Sequence, residues 1–158
     1  MNRNPQWQVE IQINAPVPIV WDAIDDLTLI PQYHPDVRSV ECLSGQTKRA
    51  QGVLTSALFP KGERGWCVER VVEHILNRKM SVAFPEDSWG MSDMFHDFLT
   101  ELTVEPRQGD GTLVKLQAYY VPSGLNVRVM NVLLMRRMMR KRVRLTLQGL
   151  KRLVESQR

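Results

Sequence analysis

From Gly124 to Glu155 the chain has no proline and one internal glycine, Gly149, and methionines and leucines recur between arginines. Such a stretch reads as one long carboxy-terminal helix. At 1.5 Å rise per residue it would run about 45 Å, longer than any strand of ordinary length, so it must lie across several strands at once. At about 100° per residue, Val127, Met135, Met138, Met139, Val143, Leu145, Leu150 and Leu153 fall on one broad side, with Arg137, Arg140, Arg144 and Lys151 opposite. The helix therefore has a buried face and a wet face. Its methionines are unbranched and polarizable, able either to fill a core or to line a wall that re-packs around guests of different shape.

The remainder of the chain supplies the surface for that helix to cover. Trp7 to Ile13 alternates Trp, Val, Ile, Ile with Gln, Glu, Gln, the pattern of a half-buried strand. Pro16 and Pro18 open a helix over Val17 to Asp25, proline being tolerated in a first turn, and a second short helical stretch ends near Pro31 or Pro35. Strand patterns come next at about Val37–Leu43, Val53–Phe59, Gly65–Leu76, Lys79–Phe84, Met94–Val104 and Thr112–Val121. Gly-Gln-Thr-Lys, Pro-Lys-Gly-Glu, Leu-Asn-Arg-Lys and Gly-Asp-Gly-Thr supply the connections between them. Consecutive hairpins imply an antiparallel meander, so the class is α+β rather than alternating βαβ. With 158 residues and no linker, repeat or low-complexity tract, the chain is expected to form a single domain over residues 1–158.

Composition narrows the function classes. Cys42 and Cys67 sit in strand-like segments without metal-ligand spacing, and the amino terminus lacks an apolar signal core; the expectation is a cytoplasmic protein with reduced thiols. The net charge is +4, but residues 128–158 hold 10 basic and 1 acidic side chains against 11 and 16 in residues 1–127. The basicity belongs to the last helix. It matches no groove-reading motif and lacks the interleaved aromatics of a single-strand binder, so no specific nucleic-acid partner is expected; a weak contact with an anionic membrane surface stays open, alongside plain solvation. No GxSxG, P-loop, GxGxxG, HExxH or CxxC occurs, and His34, His74 and His96 are not spaced as a local metal motif. No metal or other cofactor is expected.

Several residues combine into a family resemblance. Ala15-Pro16, Val20-Trp21, Asp26, His34-Pro35, Glu69-Arg70-Val71-Val72-Glu73 and Leu150-Lys151-Arg152-Leu153-Val154-Glu155, in that order and spacing, resemble the START-like or SRPBCC superfamily of helix-grip domains, most closely its polyketide cyclase/dehydrase and lipid-transport-like branch. The resemblance covers essentially the whole chain. It implies a strongly curved seven-stranded antiparallel sheet wrapped around the carboxy-terminal helix, with two short helices after the first strand. Between sheet and helix it implies an elongated cavity for a hydrophobic or amphipathic small molecule. The family's roles range from carriers to aromatic cyclases, so chemistry must come from the site.

Strand alternation nominates the site. In Met94–Glu105 the inward set is His96, Phe98, Leu102 and Val104; in Thr112–Val121 it is Val114, Leu116, Ala118 and Tyr120. For Gly65–Leu76 both registers mix apolar and charged residues, and it is the resemblance that turns Glu69 inward, with Cys67 and Val71. The expected ligand-binding set is Glu69, His96, Phe98, Leu116, Tyr120, Trp89, Met135, Met138, Met139 and Arg142, with Glu69 and His96 the candidates for any acid–base role, as in a polyketide cyclase or dehydratase. Arg142 lies in the apolar arc of the last helix, where its planar fork suits Glu69 or an anionic ligand group. Arg128 is expected to snorkel. Trp89, in Pro85–Ser92, is the candidate gate over an entrance.

Overall fold

A computed structural model describes residues 4–50, 54–60 and 65–157, with the side chains of 54–60 excepted. The elements are β1 (Trp7–Ile13), α1 (Val17–Asp25), a 3₁₀ turn (Leu27–Leu29), α2 (Ile30–Tyr33), β2 (Val37–Glu41), β3 (Leu54–Pro60), β4 (Cys67–Ile75), β5 (Lys79–Asp87), α3 (Met91–Met94), β6 (Phe95–Arg107), β7 (Gly111–Pro122), α4 (Gly124–Met130), a π turn (Asn131–Met135) and α5 (Arg136–Ser156). Val53 and residues 61–63 of the expected Pro-Lys-Gly-Glu turn lie outside the described residues.

All seven strands form one antiparallel sheet in the order β1-β7-β6-β5-β4-β3-β2. From β2 to β7 each strand pairs with the next in sequence, and β1 closes the far edge by pairing with β7, Trp7 opposite Ala118 and Ile13 opposite Thr112. The turn chemistry explains the tight connections. Asn77 and Asp110 take positive φ, as does Gly109, the backbone conformations that asparagine, aspartate and glycine tolerate best.

The terminal helix lies against the concave side, and its last turns are anchored to the sheet edge. Lys151 donates to the Gln12 carbonyl at 2.9 Å, and Glu155 accepts from the Asn14 N–H at 2.8 Å, tying α5 to β1. Nearby, α5 touches α2 through Gly149, where any Cβ would meet the Tyr33 backbone. Trp21, Val71, Val114, Leu147, Leu150 and Val154 pack the core beneath. A largely buried His74–Asp25 pair, 3.0 Å apart, ties α1 to β4, with the His74 ring edge-on to Trp21.

The helix is continuous but not uniform. Asn131–Met135 is wound as a π turn, which accommodates one extra residue and so displaces the phase of the later turns by about 100°. A single helical wheel fails across it. Val127, Met135, Met139 and Val143 do pack inward, whereas Met138 and Leu145 are exposed. At the turn the buried Asn131 side chain accepts the Tyr120 hydroxyl at 2.7 Å, fixing the helix to β7.

Candidate functional site

Between the sheet and α5 is a hollow of about 300 Å³, at the lower end of small-molecule pockets. Its walls are mainly aliphatic and aromatic. Met80, Val82, Phe84, Phe98, Leu102 and Leu116 come from β5, β6 and β7, and Met139, Val143, Leu147 and Leu150 come from α5; Ile24, Ile30, Tyr33 and His34 close it from the short helices. Strand alternation sends the sheet side chains inward, and the helical spacing of 139, 143, 147 and 150 presents one stripe back to them.

One wall is charged. Glu69, on β4, is almost wholly buried, a costly position for a lone carboxylate. Arg49 meets it with two N–H groups, Nε at 3.0 Å and Nη2 at 2.8 Å, both on Oε1. A third donor of the same guanidinium, Nη1, bonds the Ile24 carbonyl at the end of α1, and the Tyr33 hydroxyl is a further hydrogen-bond partner. Burial opposes the Arg49 charge, but its partners, Glu69 foremost, outweigh it and raise the guanidinium pKa above its ordinary value. Burial also pushes the Tyr33 hydroxyl up, an effect the Arg49 charge offsets in part. The result is a desolvated cluster of charge-assisted donors and acceptors set into an oily wall.

Also on the wall of the hollow, Asp87 ends β5. Its carboxylate accepts the backbone N–H groups of Trp89 at 2.7 Å, Met91 at 3.0 Å and Ser92 at 2.8 Å. Burial tends to raise its pKa, but these bonds prevail and hold it below the usual carboxylate range. Cys67 also lines the hollow, its thiol pushed up to about 12 by burial and by the nearby Asp87 and Glu69 carboxylates, so it is a neutral wall group rather than a nucleophile.

The nominated residues divide. Glu69, Phe98, Leu116 and Met139 line the hollow. Tyr120 is one layer behind: its ring stacks on Phe98 at 4.9 Å and 10°, and its hydroxyl is used by Asn131. Met135 packs with that same aromatic cluster. His96 corrects the alternation reading. The β6–β7 register shifts between His96 and Leu99, and Asp97 takes φ 54°, so a bulge turns both Phe95 and Phe98 inward and His96 out to solvent. Neither Met138 nor Trp89 borders the hollow, and both are exposed. Arg142, likewise exposed, pairs with Asp36 instead of Glu69. The arginine at Glu69 is Arg49, which sequence reasoning does not single out. It lies in a segment without periodicity, carried past α1 by the Asp26–Lys48 bridge and by backbone bonds between Leu27 and Thr47 and between Arg49 and Asp25, contacts that leave no mark in the sequence. Among the described residues no cluster of His, Cys, Asp and Glu could hold a metal ion, and no helix is long and apolar enough to cross a membrane.

Comparison with known proteins agrees with this geometry. The profile of the family described as polyketide cyclase / dehydrase and lipid transport matches residues 5–155. Among curated proteins no match is found. Among solved structures, a norcoclaurine synthase point mutant of Thalictrum flavum, in complex with a transition-state analogue, aligns at TM-score 0.74 and 14% identity over 95% of this chain and 93% of that one. A protein of Thermus thermophilus aligns at 0.72 and 22% over 95% and 97%, and a START superfamily protein of Mycobacterium smegmatis at 0.69 and 15% over 96% and 97%. At such identities the likeness is one of fold.

Proposed function

Since the chain belongs to the polyketide cyclase / dehydrase and lipid transport family and has a START-like helix-grip fold, we propose that it binds a hydrophobic or amphipathic small molecule between sheet and α5, as a carrier or sequestering protein without turnover. One observation carries this reading: an apolar hollow of about 300 Å³ with a buried Arg49–Glu69 pair on one wall. The aliphatic and aromatic walls favour a guest with a largely apolar body. Arg49, Glu69 and Tyr33 favour one polar end, because a buried donor or acceptor rewards a matching group and penalises its absence. A thermal-shift panel of lipids, quinones and aromatic polyketides, with native mass spectrometry of protein purified from extract, tests it. A ligand at a hundred times its Kd stabilises by about 2.7 kcal/mol, a shift such a panel reads easily. A broad panel without any retained or stabilising compound would sink the proposal.

An enzymatic reading, cyclisation or dehydration of a bound polyketide, rests on Glu69 and the Tyr33 hydroxyl, both next to Arg49 at the wall. His96 drops out of it, being on the solvent side. Turnover of a polyketide substrate by the parent chain that Tyr33→Phe abolishes while binding persists would favour this second reading over the first.

A further inference from the structure

The first half of the terminal helix presents solvent with an apolar ridge. Leu125, Val129, Val132, Leu133 and Leu134 are all at least half exposed, Leu125 and Leu133 at 76% and 74%. The inward side of the same segment is already occupied, since Val127, Met130 and Met135 pack on the Phe95–Tyr120 cluster. The ridge is thus a second apolar face, and the π turn widens it by setting three successive apolar side chains, 132 to 134, outward. A soluble helix ordinarily places polar residues there.

The charges around the ridge have one sign. Arg128, Arg137, Arg140, Lys141 and Arg144 are exposed on this helix, and none has an ion-pair partner among the described residues. No acidic residue occurs between Asp110 and Glu155. At the sheet end from which α4 departs, where the Ser123 N–H bonds the Met94 carbonyl, β4 begins beside Trp66 and β5 ends beside Trp89, both indoles partly exposed.

We propose that this face docks on an anionic lipid bilayer, the aliphatic ridge entering the boundary between headgroups and acyl chains and the arginines meeting lipid phosphates. Apolar area and cationic charge on one helix are the two contributions that hold an interfacial helix on such a surface, and tryptophan favours the same depth. A second copy of the chain fits less well, because a two-fold contact would oppose these uncompensated cations to their equals. A nucleic acid would gain nothing from an aliphatic ridge. The surface is separate from the hollow, so a chain that fails every cavity-ligand assay would still dock.

Flotation with phosphatidylcholine vesicles, with and without phosphatidylglycerol, reads the proposal directly. The full chain should float with the anionic vesicles and much less with the neutral ones, and added salt should weaken it. Leu133→Asp should reduce the partition on the order of tenfold, and Arg137→Ala with Arg140→Ala about twenty-fivefold, about fivefold for each charge. Circular-dichroism melts of the variants report that they are folded. The proposal is overturned if the full chain stays with the vesicle-free fraction, or if folded variants float like the parent. It is also overturned if Leu133→Asp abolishes a dimer seen in sedimentation while vesicles leave the parent unbound, which would assign the face to a second copy.

Discussion

Arg49 and Glu69 are almost sealed from solvent, so the loss of Glu69 takes the carboxylate away from the buried Arg49 charge. Glu69→Gln is expected to cost about 3–5 kcal/mol, read as a lower urea midpoint, whereas Arg49→Met combined with Glu69→Leu should cost less than that single change because no charge is left unpaired. A double variant as unstable as the single one would show that the pair is not isolated from water. Asp87 gives a pH dependence confined to acidic solution. Its folded pKa is depressed, so its contribution is full above the unfolded carboxylate value near 4 and is lost as pH falls through the folded value. The difference in Tm between the parent and Asp87→Ala should therefore be constant from neutral pH to about pH 5 and shrink in more acidic solution. At this scale the sequence revealed residue types better than partners. That a buried Glu69 needs a cation follows from electrostatics alone, but which of the 21 lysines and arginines reaches it depends on the path of an aperiodic segment, which brings Arg49 there while Arg142 meets Asp36.

Elements were legible where one period ran unbroken. Alternation in β7 placed Val114, Leu116, Ala118 and Tyr120 on one face, and the glycine and asparagine turns marked the hairpins. Reading failed at two insertions in the period. The bulge at Asp97 reversed His96, and the π turn re-phased the helix beyond Asn131, putting Met138 and Leu145 on the wet side. Neither insertion changes composition, so neither leaves a hydrophobicity signal; an aspartate inside a strand pattern was the one available hint. Both elements make predictions. Gly149→Ala should destabilise by about 1–3 kcal/mol in denaturant unfolding, despite alanine's better helix propensity, because the added methyl overlaps the Tyr33 backbone. Asn131→Leu should cost about 1–3 kcal/mol by leaving the buried Tyr120 hydroxyl without its acceptor, and Tyr120→Phe in the same background should cost little more.

For the whole molecule the hollow is the feature to perturb. Val143→Phe fills space that is already present, so it should leave Tm nearly unchanged while removing the thermal shift given by any cavity ligand. A Tm loss comparable with that of Glu69→Gln would indicate instead that the wall is close-packed at that point. The overall architecture was readable because many weak cues, the order of strands, helices and turns over the entire chain, agreed with one another. The depth of the hollow was not, since it is set by the difference between large opposing side-chain volumes rather than by any one residue. Closure of the sheet has a temporal side. Most strand pairs join neighbours in sequence, yet Trp7 must wait for Ala118, and α5 seals the concave face with residues made later still. During synthesis on the ribosome the hollow cannot exist until Leu150 has left the exit tunnel, so a guest could enter only once the first strand and the terminal helix have met.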